Sequence, residues 1–121
     1  MDRHTAQALG VRAERFVAQA LHADGWRILN RNWLGAGAEL DLVVGKGGRI
    51  RFVEVKARSS SLVDGLDALT PSKRRRLGRA ARAWMHQYRV PIREVAFAVA
   101  VVDLTSRPWM IHWFDDPFDG E

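Results

Sequence analysis

The stretch ELDLVVGKGGRIRFVEVKA, residues 39–57, holds two strand-like apolar runs on either side of Gly45, Lys46, Gly47 and Gly48. Paired glycines accept the positive φ values of the tight turns that join antiparallel strands, so the segment predicts a β-hairpin. With the turn at Gly47 and Gly48, Lys46 faces Arg49. The register carried back along both strands then sets Asp41 opposite Glu54 and Glu39 opposite Lys56. Strand side chains alternate with period two, so all four are expected on one face of the sheet. A four-residue turn with the same centre keeps this register, and a three-residue turn breaks it.

That register brings two carboxylates to about 5 Å between Cβ atoms, a range at which like charges destabilise a sheet unless something positive lies between them. Two oxygen donors so placed suit Mg²⁺ or Mn²⁺, with coordination positions left for water and a substrate phosphate. Ile50 and Phe52 precede Glu54 on its face, while Val53, Val55 and Ala57 take the other. The charges therefore sit at one end of an otherwise buried strand, where an unpaired charge is expensive. Read without a metal, Lys56 pairs with Glu39 or Glu54, and Asp41 is an edge charge facing solvent.

Upstream, Ala6, Leu9, Ala13, Phe16, Val17, Ala20 and Leu21 recur at helical spacing and Gly25 follows as a stop, predicting an amphipathic helix over 5–24. Glu14 flanks its apolar stripe. On spacing alone it reads as a solvated glutamate, within reach of the carboxylate rim if the helix crosses the sheet. WRILNRNW alternates as a first strand.

Downstream, SSSLVDGLDA is a polar connection, and Thr70 with Pro71 supplies the N-cap and first turn of a second helix. Leu77, Ala81, Trp84 and Tyr88 line its apolar side, with Met85 at the edge. Arg75, Arg79, Arg82, His86 and Arg89 line the other side, and no acidic residue occurs from Lys73 to Val90. Such a stripe is either a solvated face or a track for the phosphates of a nucleic acid; its self-repulsion favours an anionic partner, with Lys73, Arg75, Arg79, Arg82 and Arg89 as the contacts. VAFAVAVV then reads as a strand covered on both faces and WMIHWF as a shorter last strand.

The 121 residues fit one domain over 1–121 with a loosely held acidic tail at 115–121. A formal charge of +5 agrees with a polyanionic partner. The absence of cysteine excludes disulfides, thiolate zinc sites and a cysteine nucleophile. With no secretory h-region and no apolar run of about 20 residues, a cytoplasmic protein without membrane partners is expected. The four histidines lack metal-ligand spacing. The five tryptophans read as packing, with Trp33, beside the LGAGAE loop, the one candidate base-stacking platform.

GAELDLV, RFVEVKARS and TPSKRRRL together resemble the YraN family of uncharacterised bacterial proteins, over roughly Gly10 to Val101. That family is similar to Holliday junction resolvases and the PD-(D/E)xK nuclease-like folds. The resemblance implies a restriction-endonuclease-like α/β sandwich, a central mixed five-stranded sheet flanked by helices in the order αβββαββ. It also implies Asp41 and Glu54 as Mg²⁺ (or Mn²⁺) ligands, Lys56 to position the attacking water and steady the scissile phosphate, Glu14 as the helix acid, and Glu39 in support.

The sequence departs from the family pattern at Ala13 and Ala38, where glycine is usual, and at Ala98, where aspartate is common. The expected activity is metal-dependent hydrolysis of DNA phosphodiesters, DNA being favoured over RNA, with branched DNA and a two-fold dimer as its extensions. The competing expectations are a non-catalytic nucleic-acid-binding module of the same fold, and a partner-binding protein with structural carboxylates.

Overall fold

The first helix, α1, spans Arg3–Ala23 and buries Ala13, Val17, Ala18 and Leu21, the residues that recur along one of its faces. Gly25, at φ +92°, takes the left-handed conformation that ends it, and the Trp26 amide donates back to the Leu21 carbonyl at 2.9 Å. This computed structural model describes residues 3–59, 70–89 and 94–117. After α1 come β1 (Arg27–Gly35), β2 (Ala38–Lys46), β3 (Arg49–Arg58), α2 (Pro71–Tyr88), β4 (Glu94–Asp103) and β5 (Met110–Pro117). The strands form one sheet in the order β1-β2-β3-β4-β5, in which β3 and β4 run parallel and the other neighbours antiparallel. This is the αβββαββ sandwich with a mixed sheet that the motifs imply.

Gly47 and Gly48 have φ of +58° and +83°, and two successive positive values turn the hairpin as the glycines require. Lys46 pairs with Arg49, and the ladder runs back in the expected register as far as Leu42–Val53. In β1 the register shifts between Ile28 and Asn30, and Asn32 adopts φ +50°. The strand's alternation is therefore broken twice within five residues.

The two faces of the sheet carry separate cores. On one, α1 packs over Leu42, Val44, Val53, Ala100 and Val102, with Val55 and Ala57 at the margin. On the other, Leu77, Ala80, Ala81 and Trp84 of α2 pack over Val43, Ile50, Phe52 and Phe97. The α2 N-terminus forms as its sequence predicts: Thr70 Oγ1 accepts from the Lys73 amide at 3.2 Å and Pro71 opens the first turn.

Three placements refine the sequence reading. Asp115–Pro117, the start of the acidic tail read at 115–121, belong to β5, which pairs as far as Ala96–Pro117, and residues 118–121 lie outside the described residues. Trp33 is half-buried in the α2-side core, and its ring lies where a Cβ on Gly35 would fall, 2.3 Å away. The packing reading of Trp33 thus holds. Leu40 packs with Val43 in the α2-side core although strict alternation from Leu42 assigns it to the α1 side. The polar connection read at 59–68 lies outside the described residues after Ser59.

Candidate functional site

Asp41 and Glu54 come from neighbouring strands, one residue beyond the last laddered pair. Asp41 Oδ2 accepts the Val55 amide at 2.8 Å, so a side chain replaces the partner strand where the ladder stops. Glu54 is buried, and its Oε1 receives two ammoniums: Lys73 Nζ at 2.6 Å and Lys56 Nζ at 3.1 Å. Gly37, Ala38, Glu39, Asp41, Glu54, Lys73, Arg76 and Leu77 line an open cleft of about 380 Å³ over this group.

Lys73 was expected on the phosphate stripe; the structure puts it in the cleft. It stands in the first turn of α2, and the docking of that helix on Phe52 carries the turn over the end of β3. Arg76, one turn further on, joins the cleft and was not foreseen. Arg75, Arg79, Arg82 and Arg89 lie exposed along the helix, as the stripe predicts.

Glu39 does not meet Lys56. With Leu40 drawn into the α2-side core, Glu39 turns to β1, where its Oε1 accepts from Asn32 Nδ2 at 2.9 Å. The same Nδ2 donates to Glu14 Oε1 at 3.0 Å, tying α1 to the rim. Glu39 still borders the cleft with Asp41 and Glu54, but its partner is Asn32 and not Lys56. Like Arg76, Asn32 was missed by sequence reasoning; its one signal was a polar side chain within a strand, beside Trp33.

The electrostatics follow from these placements. Asp41 is pushed up from 3.8 to about 7, first by burial and next by the charge of Glu54, with Glu14 and Glu39 adding; the Val55 amide works against them. At Lys73, burial favours the neutral amine, but the hydrogen bond and charge of Glu54, with the charge of Asp41, override it and hold the ammonium above its ordinary value.

The donor set fits a small hard cation. Val55 engages Oδ2 of Asp41, and the ammoniums engage Oε1 of Glu54, which among the described residues leaves Oδ1 and Oε2 for a further ligand. No group of three or more His, Asp or Glu gathered as a metal cage occurs among the described residues. Mg²⁺ commonly takes one or two carboxylates and fills its octahedron with water and phosphate, so a pair is enough.

The sequence departures are mild. Ala38 and Ala13 adopt no positive φ, so neither position needs glycine. Ala98 pairs with Val53, and Val99 with Glu54, so Ala98 faces the α1 layer, away from the carboxylates. An aspartate there would not point into the cleft.

Fold and cleft together define an α/β sandwich whose central hairpin ends in a cluster of acids and lysines. Residues 13–104 match the uncharacterised protein family UPF0102, and the chain belongs to that family. It is 39% identical over 110 residues to a UPF0102 protein of Methylorubrum populi, covering 91% of this chain and 86% of that one. A UPF0102 protein of Synechococcus sp. is also 39% identical over 110 residues, covering 88% of this chain and 91% of the relative. One from Methylocella silvestris reaches 44% over 90 residues, covering 72% and 71%. No helix among the described residues is long and apolar enough to cross a membrane.

Proposed function

We propose that this protein is a cytoplasmic Mg²⁺- or Mn²⁺-dependent nuclease that hydrolyses DNA phosphodiesters, with branched DNA as the preferred substrate and a two-fold dimer as the form that cuts paired strands. The observation that carries the reading is that Asp41 and Glu54 line one cleft with Lys73, while Lys56 also ion-pairs with Glu54. Asp41 and Glu54 would hold the metal, which when bound neutralises phosphate charge and favours ionisation of water. Lys56 steadies charge at the scissile phosphate, and Lys73, released from Glu54, meets the same phosphate from α2. The arginines of α2 hold the backbone without reading sequence.

Calorimetric titration of Mg²⁺ and Mn²⁺ into wild type and Asp41→Ala, with cleavage of labelled four-way junction, duplex and single-stranded DNA on the same preparations, tests the reading. Metal uptake and cutting are expected in the wild type and absent in the variant. Cutting that survives Asp41→Ala would sink the site.

One observation favours a non-catalytic binding module instead: two ammoniums already compensate Glu54. On the nuclease reading Lys73 competes with the metal for that carboxylate. Lys73→Met is then expected to tighten Mg²⁺ binding about tenfold, equivalent to one charge-assisted hydrogen bond removed. Affinity that falls or stays level in the same titration favours the module.

A further inference from the structure

The hairpin turn carries a second charged feature, remote from the carboxylates. Gly25, Arg27, Gly45, Lys46, Gly48 and Arg49 are among the residues lining an open hollow of about 280 Å³. Beside it, Trp26 is buried with three cations over its ring: Arg51 at 4.9 Å, Arg49 at 5.3 Å and Lys46 at 5.9 Å from the centroid. A guanidinium held by its face on an indole keeps edge N–H groups for an anion.

The local structure accounts for part of this charge. Lys46 Nζ donates to the Asp24 carbonyl at 2.7 Å, just past the end of α1, where a cation complements the helix dipole. Glu94, 3.7 Å from Arg49 Nε, is the one carboxylate ion-paired with the group among the described residues. Of the three arginines, only Arg49 is thus ion-paired among the described residues, with a largely exposed acid. Cations gathered this closely repel one another unless an anion sits among them.

The position suits an extended polyanion. Five residues separate Asp41 from Lys46 and Glu54 from Arg49 along their strands, a span of about 17 Å. Trp26, with Arg49 and Arg51 over it, lies on the α1 side of the sheet, and Glu54 follows Ile50 and Phe52 on the α2 side. A duplex touching both features would therefore pass round the hairpin end, roughly five base pairs along at 3.4 Å each. The chain leaves the cleft at Lys73, follows the exposed arginines of α2, and re-enters the sheet at Glu94, the partner of Arg49.

We propose that the β2–β3 turn, with Arg27 lining the hollow and Lys46, Arg49 and Arg51 over Trp26, is a second phosphate-binding surface that holds the nucleic-acid backbone away from the cleft. It rests on the nucleic-acid half of the proposed function and not on its chemistry. Binding of a DNA duplex in EDTA, followed over a series of NaCl concentrations, tests it. Arg27→Gln/Arg49→Gln is expected to reduce the slope of log K against log salt by about 2, near 0.9 for each phosphate that is no longer neutralised. Arg27→Lys/Arg49→Lys is expected to retain the wild-type slope, because it keeps the charge.

Glu94→Gln leaves every arginine in place and removes the competing acid, so tighter binding is expected even if the glutamine pair folds poorly. An unchanged slope in a folded glutamine pair, or unchanged affinity in Glu94→Gln, overturns the proposal. Displacement of the duplex by polyglutamate as readily as by competitor DNA also overturns it, marking a site for acidic protein. Loss of the slope effect with cutting intact would remove this surface alone. A retained slope effect without cutting would remove the nuclease reading alone.

Discussion

At pH 8 in EDTA, Asp41→Asn is expected to be more stable than the wild type by on the order of 2 kcal/mol, up to about 4 if the whole displacement of the carboxyl is recovered. The same variant is expected to take up no Mg²⁺ and to cut no DNA. Asparagine keeps an oxygen for the Val55 amide and removes the charge that burial and Glu54 oppose. Stability and activity therefore move in opposite directions at one atom, as expected where a functional group is held against its environment.

The sign follows from proton linkage. Asp41 titrates at about 7 in the folded chain against an ordinary 3.8, so between those values the folded state binds more protons than the unfolded state. The stability contributed by the protonated form is full below about pH 4 and is lost as the pH rises through about 7. The wild type should weaken across that window relative to Asp41→Asn, and the two curves should run parallel above it. Urea denaturation of both proteins at pH 4, 6 and 8 in EDTA measures this. A constant difference across the series would mean that Asp41 is not held against its charge. Saturating Mg²⁺ should restore part of the wild type's loss by mass action and leave the variant unchanged.

How much of this was legible in the sequence depended on what fixed each position. The hairpin register was readable because two glycines set the turn locally, and the ladder follows it from Lys46–Arg49 to Leu42–Val53. The meeting of Asp41 with Glu54 came with it. The fate of Glu39 was not readable, because it turns on Leu40 choosing the α2-side core and on the left-handed backbone of Asn32, both tertiary outcomes. Lys73 illustrates the same limit: helical periodicity gives its face on α2, but only the docking of that helix brings its ammonium to Glu54. Family resemblance supplied the expected role of Glu14, whereas its bond to Asn32 had no sequence signal beyond a polar residue in a strand.

That docking depends on Trp84, and Trp84→Ala is expected to destabilise the protein by about 4 kcal/mol. Trp84 is 1% exposed, and its ring meets Phe52 edge-on at 5.8 Å and Tyr88 at 5.0 Å. Its Nε1 donates to Asn30 Oδ1 at 2.6 Å, and Asn30 Nδ2 donates to the Tyr88 hydroxyl at 3.3 Å, so one helix position fastens α2 to both β1 and β3. Trp84→Phe keeps most of the apolar volume but strands the Asn30 oxygen, and should cost about 1–2 kcal/mol. Trp84→Phe/Asn30→Leu removes both polar partners and is expected to recover part of that cost, a coupling that a double-mutant cycle in urea reads directly. If Trp84→Ala costs less than about 2 kcal/mol, α2 is held mainly by Leu77, Ala80 and Ala81. The placement of Lys73 over Glu54 would then need an anchor nearer the first turn of the helix.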